Sequence, residues 1–143
     1  ELMEKKNYYT IDNLLKRKMI RMPVVLIISP RYNWLSSDAK IIYSMMLELT
    51  RTNNPLYELP KNKNVKIDSN MNYYFQGYKD ELMELFTIQN EYSFLNAIEE
   101  LEQANLLTNV DINNSDIQLY PLLYSIDENE REVIDRLQFA TQF

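Results

Sequence analysis

The sequence predicts an α+β, mainly helical fold: a winged helix-turn-helix with a C-terminal β-hairpin wing, an additional hairpin before the helix-turn-helix, and a C-terminal helix. Three observations predict it. Residues 78–86 and 91–104 have the apolar spacing of two amphipathic helices, and only a short polar break separates them. Two strand-like segments on either side of the turn residues 113–115 follow at once, as a wing would. Residues 65–76 show a strand, turn and strand pattern earlier in the chain.

The N-terminal segment leaves two local structures open. Residues 11–18 favour either a short amphipathic helix or an extended arm. Residues 24–28 form a β-branched run that favours a buried strand, although Pro23 before them would also suit the first turn of a helix.

A long central helix is predicted after residue 35. Ser36 or Ser37 can cap its start, and Asp38 places negative charge in its first turn. Apolar residues then follow at helical spacing, and the helix is predicted to end near Thr50. Residues 51–66 have the composition of a loop.

The sequence from residue 77 onwards predicts where the remaining elements begin and end. Gly77 is predicted to separate the first hairpin from the helix-turn-helix, and Asn90 to cap its second helix. Residues 106–112 and 117–123 are the predicted strands of the wing.

Ser125 and Glu128 have the spacing of a capping box, which predicts a terminal helix over residues 127–139. No second domain is predicted. The expected organisation is one winged-helix domain over residues 1–143, with 1–21 as a basic arm or helix and 127–143 as the C-terminal helix and tail.

Composition excludes several classes of function. The chain of 143 residues has neither cysteine nor histidine, so disulfides, thiolate metal sites and a histidine base are absent. Its longest apolar run, Val24 to Ile28, is far too short to span a bilayer. We therefore predict a cytoplasmic, non-enzymatic protein with no cofactor, no metal ion and no membrane contact.

Charge separates the chain into two opposite halves at Lys66. Residues 1–66, the front half, carry twelve Lys and Arg against six Asp and Glu, a net of +6. Residues 67–143 carry three against fifteen, a net of −12. The predicted helix-turn-helix lies in the acidic half, where DNA phosphates would be repelled. Any contact with nucleic acid is therefore predicted to come from the front half.

Three stretches resemble a known family. Residues 32–43, YNWLSSDAKIIY, match its pattern of Tyr, Leu-Ser, Asp-Ala-Lys and a final Tyr before the first core helix. Residues 73–75 with 80–82 look like its strand and the start of its helix-turn-helix, and residues 97–106 are similar to the end of its second helix. On these residues the chain resembles the N-terminal domain of RepA_N-type plasmid replication initiators of low-GC Gram-positive bacteria, over roughly residues 20–120.

The resemblance implies a winged helix that binds replication-origin DNA and tends to dimerise, acting in the replication or transfer of a plasmid or other mobile genetic element. The chain departs from the family at the second helix, whose outer face usually carries Ser, Thr, Lys or Arg. Residues 90–105 contain no Lys or Arg, the main readers of guanine and the main partners of phosphate. Only the fold and the replication context are therefore carried over.

Cationic residues beside aromatic ones suit backbone and stacking contact with weak sequence specificity, which favours single-stranded DNA at least as much as duplex. The predicted nucleic-acid-binding residues are Lys16, Arg17, Lys18, Arg21, Lys61, Lys63 and Lys66 for phosphates, and Tyr57, Tyr74 and Tyr78 for bases.

Two other interpretations stay open. The basic clusters could be an ordinary solvated face, and the chain could be a degenerate winged helix that serves as a protein–protein interaction or dimerisation module in a replication complex. Glu99, Glu100 and Glu102 are predicted to be a solvated face or a surface for a basic partner, because their spacing points them in divergent directions and disfavours a metal site.

Overall fold

The computed structural model describes residues 6–16, 18–54, 56, 61–111 and 116–137. Within these residues, helices pack on a four-stranded antiparallel sheet. The helices are α1 (Ile11–Lys16), α2 (Val25–Ile28), α3 (Ser37–Thr52), α4 (Lys79–Leu85), α5 (Glu91–Gln103) and α6 (Glu128–Leu137). The strands are β1 (Val65–Ile67), β2 (Tyr73–Tyr78), β3 (Leu107–Asp111) and β4 (Asp116–Pro121).

The sheet joins the two predicted hairpins side by side in the order β1-β2-β4-β3. Phe75 in β2 lies opposite Val65 on one side and Leu119 on the other. Phe75 and Leu119 are fully buried, whereas Lys66 and Thr108 in the outer strands are exposed. Because successive side chains of a strand point to opposite faces, one face of the sheet packs on the helices and the other is left to solvent.

The core lies between this inner face and helices α3 and α5. Their fully or nearly fully buried residues repeat at helical spacing, so each helix turns one apolar stripe inwards. The hydroxyl of Tyr43 in α3 donates to the carbonyl of Leu122 at 2.5 Å, which ties the helix to the chain just after β4. Burial raises the pKa of Tyr43. The core residues of the two helices are Ala39, Ile42, Tyr43, Met46, Phe94, Ala97, Ile98 and Leu101.

Several predicted elements are confirmed within one or two residues. The side chain of Ser36 caps α3 by accepting from the Ala39 amide at 3.2 Å, and the helix runs two residues past Thr50. The first hairpin turns through residues 68–72, and helices α4 and α5 occupy the predicted segments. The N-terminal segment forms the short helix α1 rather than a fully extended arm.

Residues 24–28, for which the sequence left a buried strand and the first turn of a helix both open, form the short helix α2. The carbonyl of Pro23 accepts from the Leu26 amide at 3.0 Å, so the turn begins at the proline. Proline suits this position because its fixed φ is helical and its missing N–H would have had no helical partner.

The predicted capping box of the terminal helix is wrong. The Glu130 carboxylate accepts from the Asp127 amide at 2.9 Å, and the Asp127 carboxylate accepts from the Glu130 amide at 2.8 Å. The predicted pair, Ser125 and Glu128, has the same spacing but precedes this box by two residues. Arg31 favours the box of Asp127 and Glu130, because its guanidinium pairs with Glu130 and donates to the Ser125 carbonyl at 3.2 Å. The predicted end of the helix, residues 138–139, lies outside the described residues.

Gly77 lies inside β2 and does not separate two elements, which corrects its predicted role. A Cβ at this position would lie 2.8 Å from the side-chain nitrogen of Asn64. That nitrogen donates to the carbonyl of Gln76 at 2.9 Å, so the buried amide occupies the space that glycine leaves open.

Gly77→Ala is therefore expected to lower the free energy of unfolding by about 1–3 kcal/mol, the usual range for overpacking. Urea denaturation of the purified chain measures the change. In an Asn64→Ala background the same glycine substitution should cost less, because the colliding amide is gone. An equal cost in both backgrounds would contradict this explanation.

Candidate functional site

Helices α4 and α5 are joined by a short connection, residues 86–90. Glu81 in the first turn of α4 accepts from the Tyr78 amide at 3.1 Å and fixes the start of that helix. The Asn90 side chain accepts from the Ser93 amide at 3.0 Å and caps α5 as predicted. The hairpin of β3 and β4 follows α5 directly, so the elements have the chain order that the sequence predicted.

The outer face of α5 is acidic and partly apolar. Tyr92 is 78% exposed and Leu95 48% exposed, and the exposed Glu99 and Glu102 follow further along. In a helix-turn-helix the second helix approaches the major groove, where phosphates lie on both sides. Since α5 contains no Lys or Arg, this face has no cation to meet them.

Glu100 differs from the other two acidic residues of the predicted cluster. One of its carboxylate oxygens accepts from the Ser36 amide at 2.7 Å, and the other accepts from the Asn96 side chain at 3.0 Å. The residue therefore joins α5 to the start of α3, while Glu99 and Glu102 form the solvated face that was predicted. Among the described residues, no three potential metal ligands lie close enough together to hold a metal ion.

The first predicted basic cluster is largely engaged in ion pairs. Lys16 lies 2.9 Å from the Asp12 carboxylate within α1. Arg21 lies 3.2 Å from the Glu48 carboxylate of α3. Hydrogen bonds from Arg51 and then Arg21 lower the pKa of Glu48 against the opposing effect of burial. Asp12 lies four residues before Lys16 in the same helix, whereas Arg21 and Glu48 come from distant parts of the sequence.

Three further residues were predicted to bind nucleic acid: Arg17, Lys18 and Tyr57. Lys18 is exposed and makes no ion pair with any described residue. Arg17 and Tyr57 lie outside the described residues, so their predicted roles stay predictions.

One residue of each basic cluster contacts the C-terminal part of α3. Lys61 donates to the carbonyl of Asn54 at 2.7 Å, just beyond the helix, and Arg21 reaches Glu48 in the last turns of the same helix. The negative end of the helix dipole favours cations there. Lys63 instead lies 3.3 Å from the Glu81 carboxylate of α4.

The outer face of the sheet brings together predicted residues from separate segments. Lys66 in β1 lies opposite Tyr74 in β2, and Thr108 in β3 lies opposite Tyr120 in β4. The rings of Tyr74 and Tyr120 stack with centroids 5.1 Å apart and planes inclined by 21°. These four residues form one row across all four strands, which we call the tyrosine row.

A second, polar row lies beside it. Gln118 donates to the Gln76 side chain at 3.4 Å, and Gln76 donates to the Asp116 carboxylate at 3.1 Å. Val110 lies opposite Gln118 at one edge. Tyr78 lies opposite Asp116 at the end of β2 and is 59% exposed, so it stands apart from the tyrosine row.

Tyr120 is the member of this surface that sequence reasoning missed. Its signal was present, because apolar Ile117 and Leu119 alternate with Gln118 and Tyr120 along β4. Burial, followed by the negative charge of Asp68, raises the pKa of Tyr120.

None of the helices in the described part of the chain is both long and apolar enough to cross a membrane.

Three solved structures share this fold. The N-terminal domain of a DNA-binding protein is 21% identical, with a TM-score of 0.70 over 94% of this chain and 96% of that one. A Rep protein in a Rep–DNA complex is 22% identical, with a TM-score of 0.70 over 92% of this chain and 95% of that one. An MDR initiator is 26% identical, with a TM-score of 0.64 over 94% of this chain and 100% of the other.

No protein of curated function matches the chain by sequence. The sequence pattern of the replication initiator protein A (RepA) N-terminus matches residues 18–135, which is most of the chain. This match confirms the resemblance seen in residues 32–43 and 97–106. The protein belongs to the RepA_N family, the N-terminal region of replication initiator protein A.

Proposed function

We propose that this chain is a winged-helix DNA-binding domain that acts in the cytoplasm, without catalysis of its own, in the replication of a plasmid or other mobile genetic element. The observation that carries the proposal is the helix-turn-helix of α4 and α5, followed directly by the β3–β4 hairpin, in a member of the RepA_N family. One structure with the same fold is a Rep protein bound to DNA, which supports the same role here.

Charge supports contact outside the second helix. Arg21 and Lys61 contact the C-terminal part of α3 and Lys66 lies on β1, whereas α5 presents Glu99 and Glu102 to solvent. Phosphate contacts supply affinity without sequence information, so we propose weak sequence specificity. Single-stranded DNA is proposed to bind at least as well as duplex, because the same face also carries tyrosines.

One observation favours a second function. Tyr92 and Leu95 are large, exposed and adjacent on an acidic helix, which would suit contact with a protein. The alternative is a protein–protein interaction module, with a second copy of the chain or another replication protein as its partner.

Titration of fluorescent single-stranded and duplex oligonucleotides at several salt concentrations tests the proposal. We expect both to bind, with log Kd rising linearly with log salt at about 0.7–0.9 per phosphate contacted. Lys18→Gln should weaken duplex binding and reduce its salt slope by about one contact. Arg136→Gln, which removes the same charge from α6, should change neither.

The absence of binding even at low salt would contradict the proposed function and leave the interaction module. Binding that does not weaken with salt would contradict phosphate contact.

A further inference from the structure

We infer that the outer face of the sheet is a binding site for single-stranded nucleic acid, in which unpaired bases stack on the tyrosine row and the amides of the polar row contact their edges. The inference rests on the proposed function and specifies one of its sites. It places the single-strand contact on the sheet, away from the helix-turn-helix.

The outer face of the sheet is open to solvent. Phe75 and Leu119 are buried on the inner face, and the residues that adjoin them, Tyr74 and Tyr120, must point the other way. Lys66 and Thr108 on the same face are exposed. The face is therefore open at both edges of the described sheet and carries two aromatic rings at its centre.

Tyr74 and Tyr120 form an aromatic pair before any ligand binds. Tyr74 and Tyr120 stack on one another, so each ring offers its other face to a ligand. Stacking holds the rings in place before a ligand arrives, which reduces the conformational entropy lost on binding. Sheets with such aromatic residues are a common platform for two or three stacked bases.

Tyr120 also borders a cleft. The neighbour of Tyr120 on β3 is Thr108, whose short side chain is exposed. The cleft, of about 570 Å³, lies at this end of the sheet; Thr108, Val110 and Tyr120 line it from the outer face, and Leu47 and Thr50 of α3 with residues 71–73 and 121–123 line the rest. This volume falls within the ~300–1,000 Å³ range of clefts that hold small ligands.

Two glutamines and one lysine on this face would contact bases and phosphates. Each glutamine amide of the polar row has both a donor and an acceptor, so Gln76 and Gln118 can contact any base edge. Lys66 makes no ion pair with a described residue and lies at the β1 end of the row, where it can meet a phosphate. The face therefore suits single strands of any sequence.

Charge on this face predicts how binding should respond to salt. Lys66 is the one cation of the tyrosine row, and the carboxylates of Asp68 and Asp116 lie at its margins. Affinity must then come mainly from stacking, with about one phosphate contacted and a log–log salt slope near 0.7. Duplex DNA is excluded because its bases already stack on each other and expose only their edges to the grooves.

Binding of a fluorescent oligothymidine and of the corresponding duplex, measured by anisotropy, tests this site. Tyr120→Leu keeps apolar bulk but removes the ring, and it should lower single-strand affinity about five- to 150-fold, the equivalent of about 1–3 kcal/mol per stacked base. Tyr120→Phe keeps the ring and should stay within about threefold of the original, because the stacking surface is retained.

Two further variants keep the test independent of folding. Thr108→Leu leaves both rings intact but fills the space beside Tyr120, and it should also weaken single-strand binding. Tyr92→Leu removes an exposed tyrosine from α5 and should change nothing.

The outcomes separate the two proposals. Unchanged single-strand affinity in both Tyr120→Leu and Thr108→Leu, or binding of duplex alone, would overturn the stacking site and leave the proposed function standing. Failure of the unaltered protein to bind either form of DNA would overturn both.

Discussion

Phe75→Ala is expected to lower the free energy of unfolding by about 3–5 kcal/mol, the usual cost of removing a large buried side chain. Phe75 is fully buried at the centre of the inner sheet face, between Val65 and Leu119 on the neighbouring strands. Its ring also contacts that of Phe86 at a centroid distance of 5.8 Å. Urea denaturation followed by circular dichroism measures the loss, which is a large share of the ~5–15 kcal/mol by which an ordinary domain is stable.

The adjacent residue supplies the matched control. Tyr74→Ala removes a side chain of similar size from the opposite face of the same strand, and it should cost only about 0.5–1.5 kcal/mol through the lost stacking with Tyr120. That variant should stay folded while losing single-strand affinity. Similar destabilisation by both substitutions would show that the two faces of the sheet are not buried as described.

Local signals predicted the elements that local interactions determine. Ser36 caps α3 and Asn90 caps α5 through hydrogen bonds to amides three residues ahead, and such bonds depend only on nearby sequence. The apolar spacing that predicted both helices also named their buried faces. Hairpin boundaries followed from the turn residues for the same reason.

Predictions failed or stayed open where two local signals were equally good. Residues 125–128 and 127–130 both have capping-box spacing, and only the pairing of Glu130 with Arg31 from a distant segment favours the second. Residues 24–28 satisfied both a strand and a helix pattern. There the turn that starts at Pro23 decided in favour of the helix.

The candidate site was predictable in part. Lys66 and Tyr74 were identified from charge and composition, and their pairing follows from the first hairpin alone. Tyr120 was missed because its contact with Tyr74 requires β2 to pair with β4, two strands that are distant in sequence. The ion pairs of Arg21 with Glu48 and of Lys63 with Glu81 were missed for the same reason, since each joins separate elements.

Replacing both Glu99 and Glu102 with lysine is expected to raise the affinity for duplex DNA about tenfold or more at 0.1 M salt, because the change removes two repulsive charges and adds two phosphate partners. Both side chains are exposed on the outer face of α5. If this helix faces duplex DNA as the second helix of a helix-turn-helix does, its acidity is what limits duplex binding. Titration of a duplex oligonucleotide over a salt series measures the gain, and the salt slope should steepen by about 0.9 for each new contact.

The same exchange on α6 separates a local effect from one of net charge. Glu128→Lys with Glu132→Lys changes two exposed residues by the same total charge, and it should raise duplex affinity much less than the α5 pair. Single-strand affinity should change little in either variant, since the tyrosine row lies on the sheet. An equal gain from both pairs would show that overall charge, not the position of α5, controls duplex binding. No gain from the α5 pair would show that this helix does not approach DNA, which would favour its apolar residues, Tyr92 and Leu95, as a protein contact.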